Sequence, residues 1–510
     1  MSKYLPILSL PFFLALNLWA GLLILLGDLV SLLGRREPIP PPEQAPIQAG
    51  PASLIIVTWD GKELLQQYLP SVVEAVQFDG GEHEIIVVDN GSSDGTIEYL
   101  LQNFPMVRIL PLEKNYGFSE GNNRGVREAK NEVVILLNND MQVQRDFIRP
   151  LLEGFQDPTV FAVSCQVFFQ DRTRRREETG KTRARWERGF FAPFHDEVLE
   201  TDGLAQPIPI LWGGGGSCAY RRSRFLELGG FDALFYPFYL EDTDLSYQAW
   251  KRGWETVFAP GSVVIHRHRG TTQRKFSADY VKGAIRKNQY LFIWKNITDS
   301  RWTWEHFFFL PWNLLRFMHQ TSPHSEWKAL RWAIGQLPAC LQARSRTRAL
   351  SRQSDHEIFR RTGLQVPREG TTTLDFNLRD FGEQLGPGWH LREFNDSGGY
   401  RWTGLRSAFF LFPEKGENIL EVRGFIPELR PFHRPFLHLQ LFQEKKRFIE
   451  TRIAHSGPLV LKVPLVGIQV EDGHPLLFEL RLNATFSPAR SGTGTDTREL
   501  GIVITSLRLI

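Results

Sequence analysis

Three short, continuous apolar runs and a fourth strand-like stretch, joined by segments with helical spacing, leave few folds open to this chain. Ser53–Thr58 (SLIIVT), Glu84–Val88 (EIIVV), Val107–Leu110 and Val133–Leu137 (VVILL) read as strands, and Lys62–Gln77, Gly95–Phe104 and Gly121–Lys130 as the helices between them. A strand that is apolar at every position, rather than at alternate ones, is covered on both faces. Strand–helix alternation makes such a sheet parallel. Ligands of open sheets of this kind bind beyond the carboxyl ends of the strands. The residues that end these strands are therefore the first place to look for chemistry.

Outside that region the 510-residue chain changes character several times. Leu5–Gly27 carries no charged residue, and such a run is long enough to span a bilayer. It exceeds the apolar region of a signal peptide, and no A-x-A site comes after it. Arg35 and Arg36 favour a cytoplasmic position for the downstream chain, while Pro6, Pro11 and Asp28 also fit an interfacial helix. The expectation is a transmembrane or membrane-anchor helix over 4–33, then a Pro-rich linker over 34–51 (PIPPPEQAPIQAGP from Pro38). The α/β region covers 52–300, with a polar loop or insertion at Arg172–Pro209 that holds Arg174, Arg175 and Arg176. Asp279–Leu315 is rich in aromatics, which suits either a membrane-hugging face or a buried packing face. An aromatic and basic helical extension fills 301–350, and 351–385 reads as a linker. From 386 to 510 short strand-like stretches between turns (Ala408–Phe412, Asn418–Val422, Phe436–Phe442, Leu459–Val463, Leu476–Leu482, Gly501–Ile504) indicate an all-β sandwich.

Composition removes several classes of function. Sixty basic against 57 acidic residues leave a net charge of +3, which offers no footprint for a nucleic-acid partner. Cys165, Cys218 and Cys340 have no CxxC spacing, so neither a disulfide framework nor a thiolate zinc site is expected. No GxxxxGK[ST] loop, HExxH helix or complete GxGxxG turn occurs. The GxSxG at Gly117–Gly121 comes after a polar stretch rather than a strand, which is the wrong setting for a nucleophile elbow.

Four constellations remain. Asp89 ends the second apolar strand, before a Gly/Ser turn (DNGSSDGT); it can accept hydrogen bonds from a base or ribose, or merely cap the turn. Asn138, Asn139 and Asp140 end the fourth strand; Asp140 supplies an oxygen ligand suited to a hard cation, or simply helps a turn. Glu241, Asp242 and Asp244 open a helix, where carboxylates are favoured by the dipole in any case, but where one kept ionised can act as a general base. His266 and His268 come at a strand end in VVIHRHRGT and point the same way, as metal ligands would.

Taken in order, these segments resemble the inverting family-2 glycosyltransferases of the GT-A fold, over roughly Ser53 to Ile297. The resemblance rests on LIIVTWDG, IIVVDNGSSDGT, NYGFSEGNNRG, ILLNNDMQV, WGGGGSCAYRRSRF and GGFDALFYPFYLEDTDLSYQAWKRGW. It is strongest toward bacterial rhamnosyltransferase-like enzymes that build surface polysaccharides. It implies a nucleotide-diphospho-sugar transferase domain, a mainly parallel sheet between helices. It implies a nucleotide-sugar donor held by Thr58, Asp89, Asn115, Asn139 and Asp140. Asp140 and His266, with His268 as the alternative, would ligate Mn²⁺ or Mg²⁺, and Asp242 would be the catalytic base, with Glu241 as second choice. Asn138 stands where the family's DxD-type motif has its first acid. The acceptor would be a hydroxyl of a glycan or lipid-linked sugar. With the anchor, the expectation is a protein of the inner (cytoplasmic) membrane, its catalytic domain in the cytoplasm. The alternative is a non-catalytic, glycan-binding scaffold derived from a transferase, with Trp389, Tyr400, Trp402 and Phe410 of the sandwich as stacking surfaces.

Overall fold

The computed structural model describes residues 15, 19–28 and 50–510, except 81, 170–177, 197, 199–207, 268–276, 321–322, 364–369, 379–380, 382–383, 387, 396–397, 415–416, 429–431, 433–435, 444–445, 469–474, 492–495 and 497. Two compact units emerge, a first of Met1–His195 and Gln206–Gly363 and a second of Asp196–Ala205 and Leu364–Ile510.

The first unit is built on a nine-stranded sheet. Its strands are β1 (Ala52–Thr58), β2 (Glu84–Asp89), β3 (Arg108–Pro111), β4 (Val133–Asn138), β5 (Met141–Val143), β6 (Val160–Phe169), then, beyond a separate hairpin of β7 (Thr182–Glu187) and β8 (Phe190–His195), β9 (Ile208–Pro209), β10 (Ser217–Arg221) and β11 (Glu255–His266). The order is β3-β2-β1-β4-β10-β6-β11-β5, with β9 beside β11. Helices α1 (Lys62–Asp79), α2 (Thr96–Asn103) and α3 (Gly117–Glu128) make the expected crossovers.

The continuous apolar strands are explained by what lies on each face. Leu54, Ile56, Ile85, Val87, Ile135 and Leu137 enter one core with Leu65, Leu69 and Val72 of α1. Their neighbours Ile55, Ile86, Val88, Val134 and Leu136 enter a second core with Val126 of α3. Successive side chains of a strand point to opposite faces, so a strand between two cores has no polar position to spare.

The sheet is mixed rather than mainly parallel. β1, β2, β3 and β4 pair in parallel, but β10 runs antiparallel to both β4 and β6. No apolar run marked β10 in advance, because its sequence, SCAYR, is buried beside polar groups. The loop expected at Arg172–Pro209 is also partly structured, since the β7–β8 hairpin lies within it; Arg174, Arg175 and Arg176 lie outside the described residues.

Helix α4 (Glu241–Lys251) precedes β11, and beyond that strand come α5 (Ala278–Asn296), α6 (Ser300–Gln320), α7 (Pro323–Gly335) and α8 (Leu337–Leu350), with a short α9 (Asp355–Thr362) closing the unit. Their aromatics divide by face. Tyr290, Phe292 and Trp294 are buried in a third core, whereas Trp304, Phe308 and Trp312 of α6 are exposed.

The expected membrane anchor needs correction. Among the described residues no helix is long and apolar enough to cross a membrane. Helical residues 19–28 instead pack on protein. Ala20 and Ile24 are buried in the third core, and Asp28 pairs with Arg344 at 2.8 Å and Arg348 at 2.9 Å on α8. One face of this segment, with Ala20, Ile24 and Asp28, is taken up by packing and pairing within the protein, while Trp19, Leu22 and Leu26 are exposed. The inner-membrane location inferred from the run is therefore withdrawn. The rest of the 4–33 segment, and the linker up to residue 49, lie almost entirely outside the described residues.

The second unit holds two antiparallel sheets. One orders Trp389–Asn395, Gly398–Thr403, Val503–Leu509, Ile419–Ile426 and Gly457–Pro464, with Thr373–Asp375 beside Val503–Leu509; the other orders Arg406–Leu411, Leu476–Leu482, Leu437–Gln443 and Lys446–Ile453. Leu420, Val422, Ile504 and Leu507 of the first share one core with Phe409, Leu411, Leu439 and Phe478 of the second, which makes a sandwich. The proposed stacking aromatics are largely occupied. Trp389 and Phe410 are buried, Trp402 packs edge-on against Phe486, and the Tyr400 hydroxyl donates to Glu393.

Candidate active site

Parallel pairing brings three strand ends level. Thr58 lies beside Asp89, and Val57 beside Asn138. Asp89 is buried; its Oδ2 accepts from the Ser92 backbone N–H at 3.1 Å, while its Oδ1 has no hydrogen-bond partner. A buried carboxylate oxygen without a donor is costly, and it suits a site whose donor arrives with a ligand. Asn139 donates through Nδ2 to Thr58 Oγ1 at 2.9 Å. Gly61 faces this pair, and a Cβ there would collide with both side chains. Asn90, next to Asp89, pins the loop beyond β3: it donates to Asn115 Oδ1 at 3.1 Å and Gly117 O at 3.0 Å, and accepts from Tyr116 N–H at 2.9 Å. Asn115 thus reaches the same end of the sheet, with its Oδ1 also accepting from Gly117 N–H at 2.8 Å.

Asp140 and His266 meet because β5 pairs antiparallel with the end of β11, with Met141 opposite His266. His266 Nε2 stands 3.1 Å from Asp140 Oδ1, and Nδ1 stands 2.9 Å from Glu178 Oε2. Burial alone would lower the imidazole pKa, but the bonds to Asp140 and Glu178 outweigh it and raise it to about 10. His268 lies outside the described residues.

Among the described residues no group of three or more His, Cys, Asp or Glu side chains is arranged to hold a metal ion. The Asp140–His266 pair nevertheless fits two adjacent positions of an octahedral cation. Ligands about 2.1 Å from such a cation lie about 3.0 Å apart at neighbouring positions, and Mg²⁺-type sites commonly take only one or two protein ligands beside phosphate and water.

The acids at the start of α4 have three different surroundings. Asp242 is the one residue of that helix that is only partly buried. Its Oδ2 accepts from Gly215 N–H at 3.0 Å, and its Oδ1 from Thr243 N–H at 2.6 Å and Thr243 Oγ1 at 3.2 Å. Burial pushes its pKa up, those donors pull it down, the Glu178 charge adds to the rise, and the net direction is upward. Glu241 is buried with Oε2 unpartnered, and burial, then the Asp242 charge, raises it to about 8. Asp244 is committed elsewhere, with Oδ2 2.7 Å from Lys295 Nζ and Oδ1 accepting from Asn296 Nδ2 at 2.8 Å. The backbone just before the helix is unusual: Tyr239 and Leu240 sit at φ 73° and 70°, in the left-handed region that side chains other than glycine's seldom adopt.

These groups close into one ring. Gly215, which holds Asp242, adjoins Gly216, whose carbonyl accepts from Asn138 N–H at 2.9 Å. A Cβ on Gly216 would collide with the Asn138 side chain, which explains a glycine there. Thr58, Asp89, Asn139, Asp140, His266 and Asp242 are thereby gathered at one end of the sheet. Asn90 and Gly215, which lie inside the quoted motifs without a role assigned to them, and Glu178, which lies in none, join the same set of contacts. Glu178 lies in a segment that reads as a polar loop, with no local pattern to mark it.

Residues 53–225 match the family described as Glycosyl transferase family 2. The chain carries a family-2 glycosyltransferase domain over those residues. It is similar to the N-acetylglucosaminyl-diphospho-decaprenol L-rhamnosyltransferase of Mycobacterium tuberculosis, 27% identical over 264 residues that cover 47% of this chain and 83% of that one. It is also similar to N-acetylgalactosaminyltransferase 6 of Drosophila melanogaster, 30% identical over 199 residues that cover 37% of this chain and 29% of the other. Among solved structures, GalNAc-T7 with UDP, GalNAc and Mn²⁺ aligns with a TM-score of 0.43 at 16% identity, over 70% of this chain and 69% of that one.

Proposed function

We propose that this protein is an inverting glycosyltransferase that moves a sugar from a nucleoside-diphosphate sugar to a hydroxyl of a glycan or lipid-linked acceptor. The observation that carries the reading is Asp242, the one residue of α4 left partly exposed, held by Gly215 and Thr243 and feeling the charge of Glu178, which pairs with His266. Asp242 takes the proton from the acceptor hydroxyl as that oxygen attacks the anomeric carbon. The bond from that carbon to the diphosphate breaks on the opposite side, so the configuration inverts. Glu241 is the poorer base, because it is fully buried, and burial and then the Asp242 charge push its carboxyl toward the neutral form.

Asp89, with its unpartnered Oδ1, takes the base of the nucleotide; Thr58, Asn115 and Asn139 line the same strand ends toward the ribose and phosphates. Asp140 and His266 would hold Mn²⁺ or Mg²⁺, which when bound neutralises charge on the departing diphosphate. The mycobacterial relative is named for an L-rhamnosyl transfer involving N-acetylglucosaminyl-diphospho-decaprenol, so a diphospholipid-linked sugar is the acceptor class to test first. Polysaccharide assembly is the process this reading fits.

The test is calorimetry of the full chain against UDP, dTDP and GDP, each with and without Mn²⁺. Metal-dependent binding of one of them supports the reading and identifies the base of the donor. A folded protein that binds none of the three sinks it.

A further inference from the structure

Glu178 carries a relationship that no motif announced. Its carboxylate meets His266 at Nδ1, 2.9 Å away, while Nε2, across the ring, faces Asp140 at 3.1 Å. The imidazole is held between two carboxylates, with side-chain exposures of 10% for His266, 9% for Asp140 and 24% for Glu178.

The segment that presents Glu178 is fixed to the sheet. Val167 N–H of β6 donates to Thr179 O at 3.0 Å. Gly180, at φ 85°, lies so close to the strand that a Cβ there would collide with the Cys165 carbonyl. Glu178 is therefore placed by β6 rather than by chance in a surface loop.

The geometry points to Glu178 as a positioning residue for the divalent cation, holding His266 by Nδ1 so that Nε2 faces the cation together with Asp140. The inference rests on the reading of Asp140 and His266 as the cation's ligands. A carboxylate on the far nitrogen of a ligating histidine fixes its tautomer and ring orientation and raises its basicity, and loss of such a partner typically weakens metal binding 10–100-fold. Glu178 itself does not ligate, because its near oxygen is engaged on the side of the ring away from Asp140.

The test titrates the full chain with Mn²⁺ alone, reading free Mn²⁺ by electron paramagnetic resonance, for wild type, E178M, E178A, E178Q, H266A and D140A. E178M and E178A, which cannot accept from Nδ1, are expected to bind Mn²⁺ about 10–100-fold more weakly, and E178Q, whose amide oxygen still can, to recover most of the affinity. With ¹⁵N-histidine labelling, the nitrogen coupling to bound Mn²⁺ should appear in wild type and E178Q and be altered in E178M. H266A and D140A that lose Mn²⁺ while E178M and E178A stay within about twofold of wild type overturn the inference and leave the cation site standing. H266A and D140A at wild-type affinity overturn the cation site, and the inference with it.

Discussion

Asp244 Oδ2 stands 2.7 Å from Lys295 Nζ, and neither side chain is more than 7% exposed. Two residues earlier on the same helix, Asp242 is the single position left partly open. One acidic cluster is thus divided between a buried ion pair and a partly exposed carboxylate at the end of the sheet. Lys295 also meets Asp232 at 2.7 Å, so one ammonium neutralises two carboxylates.

Lys295→Met tests that structural role. It leaves Asp244 buried with no opposing charge, a loss that costs about 3–5 kcal/mol when one partner of a buried pair is removed. The expected outcome is a clearly lower denaturation midpoint, with donor affinity per folded molecule unchanged. Equal midpoints for variant and wild type would show that the pair does not support the fold.

Asp242→Asn tests the base. Turnover should fall about 10²–10⁴-fold while the nucleotide still binds, since general-base catalysis is worth that much and the amide keeps the shape. Glu241→Gln should leave turnover at pH 7 within a few-fold of wild type, because burial and the Asp242 charge favour the neutral form of that carboxyl, which the amide mimics. A steady-state assay on both variants decides between the two acids. A large loss in Glu241→Gln with Asp242→Asn active would exchange their roles.

Asp140→Ala should remove the metal dependence of donor binding, and treatment of the wild type with a chelator should mimic it. Both are read by calorimetry with and without Mn²⁺. A variant whose nucleotide affinity still rises with Mn²⁺ would exclude Asp140 as a ligand.

His306 makes the fold sensitive to acid. Its Nε2 accepts from Trp294 Nε1 at 3.2 Å, and its other ring nitrogen lies 2.6 Å from Gly189 O, so the ring is neutral, with Nδ1 as its donor. Burial first, with a smaller contribution from Arg344, lowers its pKa from 6.5 to about 4, against the opposing effect of Gly189. A base whose folded pKa lies below its unfolded value contributes stability in full above the unfolded pKa. That contribution is lost as the pH falls from about 6.5 toward 4. Melting temperatures of wild type and His306→Gln should therefore converge across that window. A constant gap between the two curves from pH 7 to pH 4 would contradict it.

Much of this was open to reading one residue at a time. β1, β2 and β4 declared themselves because a strand between two cores must be apolar throughout. Thr58, Asp89 and Asp140 were accessible as the residues at or just past the ends of those strands. Asp242 and His266 came from the resemblance, which depends on long ordered motifs rather than on local physics. The N-terminal run misled because hydropathy counts apolar residues without saying what they face. Ala20 and Ile24 face protein, and Asp28 has Arg344 and Arg348 to pair with.

What the sequence by itself determined was the central alternation of strands and helices, the strand ends where polar groups collect, and a second unit of short strands. Those features are local, set by periodicity and by chain direction. What only the tertiary structure decided was which polar groups share an environment. β10 enters antiparallel between β4 and β6, Gly215 reaches Asp242, and Glu178 reaches His266 across 88 residues. Asp242 and Asp244 look alike as letters, and only packing leaves one beside Lys295 and the other at the open end of the sheet. The physical reason is that a carboxylate's role depends on its neighbours' charge and on its exposure to water, and both are set by residues far away in the chain.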